Sequence, residues 1–236
     1  MLLTRRAVAE FVGTALLLIA VVGSGIAAQR LSPGDRGLEL LENAVATGAA
    51  LVAIIIALGA VSGAHLNPVI SVVDAAFGGM RWREVSAYVA AQVGGAVVGA
   101  VLANLMFGLP AVTLSTRDRS GGGLWLAEAV ATFGLLLVVF GVARSRRTEM
   151  APFAVGAYIT GAYFFTSSTS FANPAVAVGR MLTNTFAGIA PGSVGMFVAF
   201  QIFGGAVAAA VIRLLYPRMA QTAEDVVVPH VVERAS

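Results

Sequence analysis

Ser62-Gly63-Ala64-His65-Leu66-Asn67-Pro68-Val69 and Thr169-Ser170-Phe171-Ala172-Asn173-Pro174-Ala175 are the stretches whose reading decides the fold of this chain. Each is an approach rich in small residues that ends in Asn-Pro and opens a short apolar run. Asparagine caps helix N-termini and proline suits the first helical position, so each dipeptide marks a helix start. The runs that follow, 68–78 and 174–183, hold about ten residues each. At 1.5 Å per residue that length reaches only about halfway through a hydrocarbon core of about 30 Å. Two such starts at matching places predict a pair of half-helices that meet inside a bilayer and line a pore.

The rest of the chain supports lipid as the solvent. It is 236 residues long, 58% hydrophobic and only 11% charged, with a mean hydropathy of +0.87. Soluble domains carry about a quarter charged residues. Apolar stretches place six spans near 7–29, 42–61, 85–107, 124–143, 152–168 and 194–216. Little chain remains for a separate soluble domain. Arg5-Arg6 followed by Ala7 to Ala28 is too long an apolar segment for a cleaved leader and reads as the first span. Cysteine is absent, which excludes disulfides, thiolate catalysis and cysteine-bound metals.

Arginine placement gives an orientation. With both termini in the cytoplasm, Arg5, Arg6, Arg81, Arg83, Arg144, Arg146, Arg147, Arg213, Arg218 and Arg234 lie inside, and Arg30, Arg36, Arg117, Arg119 and Arg180 outside. That two-to-one bias favours a multi-pass protein of the plasma (inner) membrane with cytoplasmic termini. The basic balance thus reports loop topology and gives no reason to invoke nucleic acid. Residues 218–236 lack an apolar period and read as a solvated, disordered tail.

The chain also repeats. Ala9-Glu10-Phe11-Val12-Gly13-Thr14 is echoed by Ala127-Glu128-Ala129-Val130-Ala131-Thr132, and Gln92-Val93-Gly94-Gly95-Ala96 by Gln201-Ile202-Phe203-Gly204-Gly205-Ala206. With the Asn-Pro pair, three landmarks recur in one order. They divide a single domain, 1–217, into a first repeat at about 5–107 and a second at about 123–217. Three spans per half is an odd number, so the halves are inverted with respect to each other. The greater distance from Glu10 to Asn67 than from Glu128 to Asn173 is assigned to the polar loop around Leu31–Gly37. The expected class is an all-α membrane protein of six transmembrane helices and two re-entrant half-helices.

Ala-Glu-Phe-Val-Gly-Thr, Ser-Gly-Ala-His-Leu-Asn-Pro-Val, Ala-Gln-Val-Gly-Gly and Phe-Ala-Asn-Pro-Ala together resemble the major intrinsic proteins, the aquaporins and aquaglyceroporins, over nearly the whole chain. The resemblance implies a pore in each protomer, a homotetramer in membrane lipid, and passage of small neutral solutes. Two departures stand out. Val69 replaces the usual alanine of the first box and adds bulk where the boxes touch. Val176 follows Asn173-Pro174-Ala175 where most of the family has the arginine of a narrow outer filter. The other filter positions correspond to Thr47 and Ser170, with Tyr163 or Gly161 on the fifth span. The run from Tyr163 to Val176 is similar to the bacterial subgroup associated with arsenic resistance, which implies neutral metalloid acids among the solutes.

Residue chemistry gives each position a role and a plainer alternative. Asn67 and Asn173 offer amide donors to a passing oxygen, and the half-helix N-termini disfavour cations at the midplane; the alternative is two ordinary caps. Val176 with Thr47 and Ser170 makes a wider, less polar constriction, unless another side chain fills the gap. Arg180, one turn beyond Val176, is the candidate for that, or else a vestibule or interface arginine paired with an acid; its repeat counterpart is Asp74. Glu10 and Glu128 are costly in a membrane unless satisfied, and the resemblance makes them braces for the re-entrant loops; a proton relay is the alternative. His65 corresponds to a family histidine on the cytoplasmic side of the pore. His230 is the only other histidine, so no metal site is expected. Gly94, Gly95, Gly99, Gly204 and Gly205 suit close helix crossings, and Phe164, Phe165 and Phe171 line the route or pack. No nucleophile–base pair or cofactor loop is present. The expected function is a passive channel for neutral metalloid hydroxides such as arsenite and polyols such as glycerol, with water as a further candidate. Its rivals are a water-selective channel and a proton-coupled transporter using Glu10 and Glu128.

Overall fold

A computed structural model describes residues 2–145 and 147–216. Arg146 and the tail expected at 218–236, with His230, lie outside the described residues. The helices are α1 (Leu3–Leu31), α2 (Arg36–Ser62), α3 (Pro68–Phe77), α4 (Trp82–Met106), α5 (Gly122–Arg144), α6 (Ala151–Phe165), α7 (Pro174–Arg180) and α8 (Pro191–Leu215), with a 3-10 turn at Thr148–Met150 ahead of α6. The order long, long, short, long is thus followed twice. Helices α1, α2, α4, α5 and α8 are each long and apolar enough to cross a membrane.

Helix α6 corrects the expected span at 152–168. It has 15 residues and ends at Phe165, where Thr166 turns to an extended conformation and its hydroxyl donates to Ala162 O at 2.6 Å. At 1.5 Å per residue such a helix covers about 22 Å, so the following loop must complete that wall. The extra length of the first half also lies elsewhere than expected. Helix α2 has 27 residues against the 15 of α6, whereas the connection ahead of α2 is a tight turn closed by Asp35, whose side chain accepts from Leu38 N.

Within each half the first helix packs along the last: α1 on α4, and α5 on α8. Glycine permits this approach. A Cβ on Gly95 would lie 2.2 Å from Phe11 O, one on Gly99 2.3 Å from Ala15 O, and one on Gly204 2.2 Å from Ala129 O. Gly94 and Gly205 depart from the crossing role: Gly94 meets only the Phe11 ring, and Gly205 makes room for Val69. The halves join where α2 packs on α6 and where the short helices reach across, α7 to α4 and α3 to α8.

Candidate pore

Both Asn-Pro boxes cap their half-helices. Asn67 and Asn173 are extended, and their Oδ1 atoms accept from Val69 N at 2.9 Å and from Ala175 N at 2.9 Å. With Oδ1 fixed by its own helix, each amide nitrogen is aimed outward. Asn67 Nδ2 donates to Ala172 O and Asn173 Nδ2 donates to Leu66 O, each at 2.7 Å. Each half therefore holds the residue just before the other half's asparagine. One of the two amide hydrogens is spent on this bond, leaving one on each asparagine for a passing oxygen.

The approaches share an unusual backbone. Gly63, Ala64 and Leu66 have positive φ, and so do Thr169, Ser170 and Ala172, at the same registers from their asparagines. Non-glycine residues in this region cost about 1–3 kcal/mol each and persist only where their surroundings over-determine them. Here the buried carboxylates do so. Glu10 accepts from Ser62 Oγ (2.6 Å), His65 N (2.9 Å), Leu66 N (2.7 Å) and Gln92 Nε2 (2.8 Å). Glu128 accepts from Phe171 N and Ala172 N, both at 2.9 Å, and from Gln201 Nε2 at 2.6 Å. Four donors match the lone-pair sites of a carboxylate, so Glu10 has no acceptor capacity left for a proton relay. The two glutamines, visible in the sequence only as an echo, are what tie each carboxylate to α4 or α8.

A cavity of about 60 Å³ lies between the half-helices, room for a short file of water-sized molecules. Its walls are mostly aliphatic, from Leu17 and Val21 of α1, Leu51 and Ile55 of α2, Leu135 and Val139 of α5, and Val155 and Ile159 of α6. Polar groups are few: Asn67, Asn173, His65, Thr47, Tyr163, Ser170 and Arg180. Thr47 and Tyr163 touch through their hydroxyls at 3.2 Å. On α6 it is Tyr163 that lines the cavity, while Gly161 is exposed beside Phe165. Val176 and Phe171 also line it, and Phe164 and Phe165 lie on the outer surface.

Five residues sit differently from expectation. Val69 is not at the cavity; its Cγ1 occupies the niche left by Gly205 of α8, so its bulk is taken up by packing. Pro68, Pro174 and Ala175 shape the helix starts without lining the cavity. Among the described residues Arg180 forms no ion pair with an acid. It is 1% exposed, its Nε donates to Ala187 O, and its guanidinium carbon stands 3.4 Å from the Phe171 ring centre. Seven residues of α7 give too little periodicity to read this facing from sequence. In the other half His65 and Asp74 occupy the same two registers. Their Nε2 and Oδ2 atoms are 3.9 Å apart, and His65 Nδ1 is 3.1 Å from Ser71 Oγ.

The loop between α4 and α5 supplies residues that the sequence reading did not assign to the site. Arg119 is buried and donates to Gly188 O (2.9 Å) and Ser168 O (3.2 Å), tying this loop to the segments on either side of α7. Burial, and then the nearby charges of Arg180 and Arg117, lower its pKa to about 9. Asp118 is held below the usual carboxylate range by hydroxyl hydrogen bonds from Ser120 and Ser193.

Long apolar helices around a narrow cavity, with two capped half-helices meeting at its centre, define a multi-pass membrane protein of the channel class. The model of the family described as major intrinsic protein matches residues 1–170. Aquaglyceroporin AqpS of Rhizobium meliloti (strain 1021) is 51% identical over 213 residues, covering 90% of this chain and 91% of that protein. Aquaporin NIP3-1 of Oryza sativa subsp. japonica is 37% identical over 163 residues, covering 67% of this chain and 51% of that protein. The X-ray structure of the aquaglyceroporin from Plasmodium falciparum superposes with a TM-score of 0.71 at 20% identity, covering 93% of this chain and all of that one. The chain belongs to the major intrinsic protein family.

Proposed function

We propose that this protein is a passive, bidirectional channel for small uncharged solutes, with polyols such as glycerol and neutral metalloid hydroxides such as arsenite as its solutes. The observation that carries this reading is the set of residues bordering one cavity: Val176, Thr47, Tyr163 and Ser170. They present an aliphatic wall and small hydroxyls, which suit a solute that has hydroxyl groups and no charge. The name of the R. meliloti relative, an aquaglyceroporin, supports the same class of solute. The hydrogen-bonded state of Glu10 and Glu128 supports a passive path over a proton-coupled one. The reading includes cytoplasmic termini, residence in the inner membrane and assembly as a homotetramer.

Stopped-flow permeability of the purified protein in liposomes tests it, with water, glycerol and arsenite side by side. Glycerol or arsenite flux above that of empty liposomes, linear in concentration and reduced in Val176→Arg, is the expected result. Rapid water flux with neither larger solute passing would make this a water channel. Saturable uptake that follows a pH gradient would make it a transporter.

A further inference from the structure

Arg180 is a buried cation without a direct ion-pair partner among the described residues, the carboxylate charge that acts on it being that of Glu128. Its hydrogen bond goes to a neutral carbonyl, Ala187 O. Isolated buried charge is strongly unfavourable unless hydrogen-bonded or otherwise compensated. The compensation here is the face of Phe171, whose ring quadrupole attracts a guanidinium. Glu128, the carboxylate that holds the Phe171 backbone, already receives three donors.

That arrangement fixes Nε and leaves the two terminal nitrogens of Arg180 without a protein acceptor among the described residues. Four N–H groups are thus unspent at a side chain that lines the cavity. The buried Ser170 Oγ on the same lining also has no hydrogen-bond partner. A second guanidinium, that of Arg119, stands 5.1 Å from the same Phe171 ring and is held by the carbonyls of Gly188, Ser168 and Phe186. Two guanidinium charges thus stand at this ring against the single carboxylate of Glu128, and the free groups are mainly donors. Such a site welcomes the acceptor oxygens of a neutral hydroxylated molecule and repels a cation.

We propose that Arg180, posted by Phe171, is a specificity-determining residue of this cavity, donating to the oxygens of neutral hydroxylated solutes and excluding cations. Val176 removes the possibility of a cation at its own position, and Arg180 supplies one from the next turn of α7. Phe171 is the positioning residue: it sets where the guanidinium lies and touches the solute path beside it. The proposal rests on the channel reading above and deepens it.

Full-length protein in liposomes tests both separately. Glycerol flux is followed by stopped-flow light scattering, proton leak by an internal pH dye, and methylammonium current in planar bilayers. Arg180→Met is expected to raise the proton or methylammonium leak by about tenfold or more relative to glycerol flux, while Arg180→Lys keeps the leak low because the charge remains. Phe171→Leu, which removes the ring face but not the charge, is expected to give an intermediate leak and serves if Arg180→Met does not reconstitute. An unchanged leak in folded Arg180→Met, or in Phe171→Leu when that variant stands in, overturns the proposal, as does loss of glycerol flux without any leak. Absence of glycerol and arsenite flux in the wild type would instead overturn the channel reading.

Discussion

Arg180 stands to Phe171 as Asp74 stands to His65. In each half a ring two residues before the asparagine meets a charged side chain seven residues after it, at 3.4 Å in one half and 3.9 Å in the other. The scaffold is repeated, but an acid in one half stands where a base stands in the other. The half-helices are therefore structural twins whose far ends differ electrically, and each latches its loop with a different chemistry.

The carboxylate braces make the most direct prediction. Glutamine in place of Glu10 keeps one oxygen acceptor but turns an NH2 group toward backbone N–H donors. Glu10→Gln is expected to lose about 2–3 kcal/mol, the scale of a charged hydrogen bond and an orphaned donor. Glu128→Gln, with three donors against four, should lose less. Thermal unfolding in detergent, followed by tryptophan fluorescence, checks the order; midpoints equal to wild type would show that the braces contribute nothing.

Val69 and Gly205 should be energetically coupled, because a Cβ on Gly205 would come 2.4 Å from Val69 Cγ1. Gly205→Ala alone is expected to cost about 1–3 kcal/mol through overpacking. Combining it with Val69→Ala should recover about 1 kcal/mol or more of that loss. A double-mutant cycle on unfolding midpoints measures the coupling, and strict additivity would mean that α3 and α8 shift apart freely.

Helix crossing at Gly95 admits no such relief. The obstacle is a backbone atom, Phe11 O, at 2.2 Å from an added Cβ. Gly95→Ala should therefore destabilise by about 2 kcal/mol or more, whereas Gly123→Ala, with nothing within 4 Å, should stay within about 0.5 kcal/mol of wild type. Size-exclusion profiles and melting of the two variants side by side decide the matter.

Thr47 borders the cavity on the α2 wall. Thr47→Phe would add a ring to a cavity of only about 60 Å³ and remove the hydroxyl contact with Tyr163. Glycerol flux should fall by about tenfold or more, and water flux by less, because a constriction rejects the larger solute first. Equal loss of both would place the limiting constriction elsewhere.

Most of the fold could be read because its signals are local. Asn-Pro caps, apolar run lengths and intramembrane glutamates each constrain a few neighbouring residues, and their recurrence supplied the topology. What escaped depends on how distant pieces meet. The destination of Val69 is a niche made by a glycine on α8, and the facing of Arg180 is set by Phe171 and Ala187. The end of α6 is fixed where Thr166 leaves the helix and its hydroxyl turns back to Ala162 O, and the hydroxyl-rich run at 166–170 does not by itself mark that residue as the stop. Tyr163 and Gly161 differ by two positions on one helix, and only the packing of α6 on α2 separates them. Arg119 looked like a loop charge because nothing in its sequence neighbourhood records the carbonyls of Gly188 and Ser168.

The exchange of amide bonds between Asn67 and Asn173 has a consequence for how the protein is made. The acceptor for Asn67 Nδ2 is Ala172 O, so the first half emerges from the ribosome with its own cap made but its cross-half bond still unmade. Glu10 can hold the loop early, since all its donors lie before residue 93, but the central seam waits for the second half. The width of the passage is then a joint property that neither half carries alone, because each asparagine's outward bond ends on the other half.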